Sequence, residues 1–233
     1  MELVPVTQLL AGTGPILVDF DGPMCRLFAG YPASVIAHEL RDRLIAGGIT
    51  VPPPIADESD PLEVLRWTAQ LGHDRLARQI EEALCAAELA AAATAEPTPF
   101  ATEAIVAAHA THRPVAVVSN NSQAAIEAYL ASHGLNDYVG PIVGRDRCEP
   151  GKMKPHPEPI VRAVHTLDVE PASVVLIGDS ASDILAARAA RVRSIGYANR
   201  PTKSQLLTDA GADAVVRSMA DIARALRATP ARS

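Results

Sequence analysis

The chain has 233 residues, enough for one large domain or for a domain carrying an inserted subdomain. It is 48% hydrophobic and 21% charged, which excludes a disordered chain and predicts a globular core. A net charge of −6 argues against a general nucleic-acid binder, whose footprint would be basic.

Aromatic residues make up only 3%, so the core must rest on Val, Ile, Leu and Ala. The N-terminal stretch MELVPVTQLLAGTG has no basic region, and Pro5, Gln8 and Gly12 interrupt its apolar run, so no signal peptide is expected. No run reaches the length of a membrane span. Cys25, Cys85 and Cys148 are far apart and form no CxxC, which predicts free thiols and a cytoplasmic location.

In chain order, PILVDF (15–20) is the first apolar run too short for a typical helix. Residues 25–97 then read as helical in ASVIAHELRDRLIAGG, DPLEVLRWTAQLG and HDRLARQIEEALCAAELAAAA, with TVPPPIADESDP as a proline-rich loop and AEPTP (95–99) marking the return. Two more short apolar runs follow, PVAVVSN (114–120) and SVVLIGD (173–179). Continuous runs of this kind suit strands buried on both faces of a parallel sheet.

Between them, SQAAIEAYLASHG places Ile126, Tyr129, Leu130 and His133 on one helical face and stops at Gly134. PEPIVRAVHTL does the same with Ile160, Val161, Val164 and Leu167. SASDILAARAA is the next helix, and RSIGYA (193–198) and ADAVVR (212–217) are two more strands. The alternation predicts an α/β fold, a parallel sheet with helices on both faces, built from residues 1–24 and 98–233. Residues 25–97 form a helical subdomain inserted after the first strand.

In such a sheet, ligands bind beyond the carboxyl ends of the strands. Asp19, Asp21, Ser119 and Asp179 all fall at such ends. One unpaired buried carboxylate costs several kcal/mol, so two acids flanking Phe20 need a partner, and a hard cation is a natural one. Asp179 and Asp183 are four apart, which puts both on one face of a helical turn.

The segments DFDG, VVSNN, KMKPHPEP and GDSASD, in that order, resemble the four motifs of the haloacid-dehalogenase-like (HAD) superfamily. The 100-residue step from Asp19 to Ser119 resembles the subgroup with a helical cap at that point, in a layout similar to phosphoglycolate phosphatases. The resemblance implies a Rossmann-like core, Mg²⁺ as cofactor and a small phosphate ester as partner, while the charge balance and the lack of a membrane-length run predict no nucleic acid and no membrane partner. It implies Asp19 as a nucleophile that forms an aspartyl-phosphate, and Asp21 as the general acid and then base. It implies Mg²⁺ ligation by Asp19, the Asp21 carbonyl and Asp179, supported by Asp183. It also implies phosphoryl binding by Ser119, the Asn120 backbone and Lys154.

An acid at position 21 points to phosphate chemistry rather than dehalogenation, and GD at the fourth motif resembles phosphatases more than phosphomutases. The phosphomutase remains the alternative, along with a phospho-accepting or binding module. Pro23 departs from the family pattern, since it lacks an N–H and fixes φ. Lys154 sits in GRDRCEPGKMKP with Arg145, Arg147 and Lys152, a cluster otherwise read as a solvated face, and Lys152 is the fallback. His109 and His112 read as helix-end residues, and Trp67, Leu65 and Leu71 as cap packing. Arg26, five residues past Asp21, is a candidate substrate contact.

Overall fold

The computed structural model describes residues 3–229. Strands β1 (Ile16–Val18) and β2 (Cys25–Arg26) are followed by β3 (Glu96–Pro97), β4 (Val115–Val118) and β5 (Ile142–Val143). The series ends with β6 (Val175–Gly178), β7 (Arg193–Tyr197) and β8 (Ala214–Val216). Six of these form one parallel sheet in the order β5-β4-β1-β6-β7-β8. The strand order turns at β1, flanked by β4 and β6, which is where a crevice opens at the carboxyl edge.

Alternation along the strands explains the two apolar layers. Ile16 and Val18 face one side, with Val115, Val117, Val175 and Ile177. That side is covered by α1 (Val6–Ala11), α6 (Ala101–Ala110), α7 (Gln123–Ser132) and α11 (Met219–Ala228). Leu17, Ala116, Val118 and Leu176 face the other side, under α8 (Glu158–Leu167) and α9 (Ala181–Ala189). Leu17 is completely buried, and a side chain of that size contributes about 1.5–3 kcal/mol by leaving water. A further helix, α10 (Lys203–Ala210), packs Leu207 beside α9.

The inserted section has its own apolar centre. Helices α2 (Ala33–Ala46), α4 (Pro61–Gln70) and α5 (Asp74–Ala92) bury Ile36, Leu40, Leu44, Val64, Leu65, Ile80 and Leu84 together. Trp67 packs against this cluster, as the sequence suggests. The section is not helical throughout. β2 and β3 pair antiparallel at its base, and the proline-rich stretch contains a short helix, α3 (Pro53–Ala56). The C-terminal half of α5 leaves this centre and packs on the core, where Ala91 and Ala92 join the cluster around Tyr129.

Two helical faces differ from expectation. Val161 is exposed, because the buried stripe of α8 runs through Ile160, Ala163 and Val164. His133 is exposed at the end of α7, where its ring stacks on buried Tyr129 with centroids 4.0 Å apart. Gly134 follows with φ +65°, the left-handed residue that ends the helix.

Candidate active site

β1 delivers Asp19 to the carboxyl edge, and its amide donates to Ile177 O at 2.9 Å, extending the ladder by one residue. Ser119 is fixed the same way after β4, through its amide and Val143 O at 2.9 Å. Asp179 follows β6 directly, at the entrance to α9. There Ser180 and Asp183 form a reciprocal capping box, so Asp183 is both a helix cap and a fully buried charge.

Lys154 joins these groups. Its Nζ lies 2.9 Å from Asp19 Oδ1, 2.6 Å from Asp183 Oδ1, and donates to Val118 O at 2.9 Å. Burial pulls its pKa down, but the Asp183 and Asp19 carboxylates outweigh burial and raise it. Lys152, the fallback, is instead surface-paired with Glu149.

Both Asp19 contacts, from Phe20 N at 2.8 Å and from Lys154, fall on Oδ1. Among the described residues, Oδ2 therefore has no protein donor. Burial pushes the Asp19 carboxyl up to about 7, aided by the negative charge of Asp183 and opposed by Lys154. Burial likewise pushes Asp21 up to about 6, against the Leu27 amide that donates to its Oδ1 at 2.9 Å. A carboxyl near 6 can carry a proton at neutral pH, as a general acid must.

The first-motif loop is tight. Gly22 has φ +118°, and a Cβ there would lie 2.4 Å from Asp179 Cγ. Gly178 is equally constrained, with its would-be Cβ 2.3 Å from Asp183 Cβ. Thr98, where the chain returns from the inserted section, donates its hydroxyl to Gly22 O at 2.6 Å. Pro23 sits in the turn that closes this loop rather than in a helix, and it lines an apolar pocket with Met24 and Ile105. The loop's amide bonds are made by Gly22 to Cys25 O and by Cys25 to Phe20 O, so the missing N–H at Pro23 breaks neither.

Carboxylate oxygens of Asp19, Asp179 and Asp183, one from each, lie within 4.8 Å of one another. An all-oxygen donor set suits a hard divalent cation. The Asp21 carboxylate is not in this group, since it turns toward the Leu27 amide. Asp179 is raised by burial, opposed by Lys203, whose Nζ lies 2.5 Å from Asp179 Oδ2. Asn199 donates to the same oxygen at 3.1 Å.

A cavity of about 470 Å³ opens over these groups. Asp19, Asp21, Ser119, Asn120, Lys154, Asp179 and Asp183 line it from the core. The inserted section roofs it with Phe28, Ser59, Asp60, Glu63 and Arg66. Arg26 does not line this cavity. It projects from the β2–β3 ribbon, more than half exposed, pairs with Glu96, and lines an adjoining cavity together with Asp21, Asp179 and Lys203.

Other residues of the site were not foreseen. The Asn120 side chain pins the second motif to the third, accepting from Lys154 N at 2.8 Å and donating to Lys154 O at 3.1 Å. Arg145, grouped above with a solvated face, is fully buried. It donates to Glu81 Oε1 at 2.7 Å, to both oxygens of Glu88, and to Asn120 O at 2.7 Å. A signal for Glu88 exists in the sequence: it interrupts the apolar stripe Leu84, Glu88, Ala91 of α5, and an acid at such a position requires a buried partner. Arg66 has none, reading as an ordinary helix-surface arginine.

A family model described as Haloacid dehalogenase-like hydrolase matches residues 66–197. A phosphoglycolate phosphatase of Cupriavidus necator is 40% identical over 122 residues, 51% of this chain and 49% of that protein. A bifunctional riboflavin kinase/FMN phosphatase of Arabidopsis thaliana is 36% identical, over 47% of this chain and 28% of that protein. The chain spans about half the length or less of these curated relatives. Among solved structures, CbbY from Rhodobacter sphaeroides in complex with phosphate superposes with a TM-score of 0.67 at 22% identity, over 89% of this chain and 95% of that one. A hydrolase from Pseudomonas syringae gives 0.69 at 17%, over 94% and 100%. These two share the fold. With the motif positions gathered at one carboxyl edge and more than half of the sequence matched by the family model, the chain belongs to the haloacid dehalogenase-like hydrolase family.

Proposed function

We propose that the chain is a Mg²⁺-dependent phosphatase that hydrolyses a small phosphorylated metabolite through an aspartyl-phosphate on Asp19. The observation that carries this reading is the convergence of Asp19, Asp21, Ser119, Lys154 and Asp179, from four separate loops, on one roofed cavity. The phosphatase names of the curated relatives support it.

Asp19 Oδ2 attacks phosphorus, and the bond from phosphorus to the ester oxygen breaks. Asp21 gives that oxygen its proton and leaves as carboxylate. It then takes a proton from water, whose oxygen attacks phosphorus and releases Asp19. Lys154 balances charge on the nucleophile and on the phosphoryl oxygens, while Ser119 and the Asn120 backbone bind those oxygens. Asp19, Asp179 and the Asp21 carbonyl would hold Mg²⁺, with Asp183 supporting. When bound, the ion neutralises phosphoryl charge and orients the ester for in-line attack.

Residues 25–97 act as a cap that excludes water and contacts the organic part of the substrate. The three free thiols support a reducing, cytoplasmic setting. Phosphate release from a panel of monoesters, with Mg²⁺ and with excess chelator, tests the reading. Turnover that survives chelation, or none with any ester, would overturn it.

A further inference from the structure

The roof of the cavity has an unusual charge balance for an enzyme of anionic esters. Two cationic side chains line the cavity among the described residues, Lys154 and Arg66. Lys154 is fully committed to Asp19, Asp183 and Val118 O. Arg66 is committed at both terminal nitrogens. Nη1 pairs with Glu63, and Nη2 donates to Lys154 O at 2.7 Å across the gap between roof and core.

Asp60 shares the Arg66 charge with Glu63 rather than holding a cation of its own. It is the N-cap of α4, where Oδ1 accepts the Leu62 amide at 2.8 Å, and no ion pair to it is present among the described residues. Ser59 lies beside it on the cavity wall. The space where the departing alcohol must sit therefore offers acceptors: Asp60, Glu63 and the Ser59 hydroxyl. Among the described residues its only cations are the paired Lys154 and Arg66, while Arg26, Arg200 and Lys203 line the adjoining cavity on the other side of Asp21 and Asp179.

Resting on the phosphatase reading above, we propose that the leaving group is an alcohol that carries hydrogen-bond donors and no second anion, such as a polyol or an amino alcohol. A carboxylate or second phosphate on that alcohol would face Asp60 and Glu63 with Arg66 as their one shared cation, at the cost of a net like-charge contact. Hydroxyl or ammonium donors would pair with it. This separates the chain from what the name of its Cupriavidus necator relative describes, since glycolate carries a carboxylate.

The test compares glycerol 3-phosphate, ethanolamine phosphate and phosphoglycolate on the wild-type protein with Mg²⁺, using p-nitrophenyl phosphate as a generic ester. One or both donor-bearing esters should exceed phosphoglycolate in kcat/KM by about tenfold or more. Asp60→Asn removes the charge but keeps a good cap acceptor for Leu62, so the fold is preserved. It should narrow that ratio by about tenfold. A larger loss for ethanolamine phosphate than for glycerol 3-phosphate identifies an ammonium ligand, and equal losses identify hydroxyls.

Phosphoglycolate turned over as well as the others, or a ratio unmoved in Asp60→Asn, overturns the proposal while leaving the phosphatase reading intact. So does hydrolysis of p-nitrophenyl phosphate with none of the three. If no ester at all is hydrolysed, the phosphatase reading fails. Calorimetric binding of the same three esters then decides the preference: tighter donor-bearing esters support it, and tighter phosphoglycolate or no binding overturns it.

Discussion

The Arg145 guanidinium donates to both carboxylate oxygens of Glu88, at 2.8 and 3.1 Å, and neither side chain is exposed. Glu88 belongs to α5 of the inserted section, and Arg145 to the loop after β5. Each also holds the loop after β4. Glu88 accepts from the Asn121 side chain at 3.1 Å and the Ser122 amide at 2.9 Å, while Arg145 reaches Asn120 O. The phosphate-binding loop of the proposed mechanism is therefore clamped by an ion pair that crosses from cap to core. Moving α5 would expose the dry ion pairs of Arg145 with both Glu81 and Glu88, so any motion of the inserted section is confined to α2, α4 and the residues of α5 before Glu81.

Replacing Arg145 with Met strands Glu81 and Glu88 in the interior. Such a loss costs about 3–5 kcal/mol. In a chain of this size that corresponds to a fall in Tm of roughly 6–20 °C. Adding Glu81→Gln and Glu88→Gln to Arg145→Met should recover a large part of it, since the uncompensated charges are then gone. Thermal melts of the single and triple variants check this, and a single variant as stable as wild type would show that the pair contributes little.

Asp19→Asn should abolish phosphate release while leaving the melting temperature equal to or above that of wild type. The amide is nearly isosteric and still accepts from Phe20 N and Lys154, but it is a poor nucleophile. It also removes one of three clustered carboxylates, which relieves like-charge repulsion. Parallel melting and phosphate-release assays decide it: activity within tenfold of wild type would remove Asp19 from the nucleophile role.

The thiols should react in a fixed order. Burial and then the carboxylates of Glu88 and Glu81 push Cys85 up to about 11 against the pull of Arg145, and burial pushes Cys25 up as well. Cys148 is exposed. Since the thiolate is the reactive form, a disulfide reagent at pH 8 should label Cys148 rapidly. The other two should react only with denaturant present. Mass mapping of labelled peptides reads the order, and early labelling of Cys85 would contradict the burial of the Arg145 cluster.

The sheet and its motif residues were legible because both depend on short-range chemistry. PILVDF, PVAVVSN and SVVLIGD form β1, β4 and β6 as their unbroken apolar runs suggest, and each places its polar terminus at the same edge. Lys154 could be separated from Lys152 by motif position alone. What was not legible is what long-range pairing decides. Arg145 looks like its neighbour Arg147 until α5 folds back and supplies Glu81 and Glu88. Arg26 lines a cavity with Asp21 and Asp179, but its distance along the chain from Asp21 says nothing of the partner that holds it. β2 turns Arg26 outward to Glu96 on β3, a partner 70 residues away. Arg66 enters the cavity only because α4 leans over the third motif, which no local pattern encodes.

Asp21→Asn separates a proton-transfer role from a purely structural one. Asn keeps an oxygen for the Leu27 amide, which donates to Asp21 Oδ1 at 2.9 Å, so the turn should survive. If Asp21 protonates the leaving oxygen and later activates water, both steps slow, by about 10²–10⁴-fold for an alkyl ester. A nitrophenyl ester departs without needing that proton, so its first step should recover while hydrolysis of the aspartyl-phosphate stays slow. Rapid-quench experiments should then show a burst of nitrophenol stoichiometric with enzyme, with phosphate lagging behind. If Asp21 served only to shape the turn against Leu27, alkyl and nitrophenyl esters would slow by the same factor, and no burst would appear.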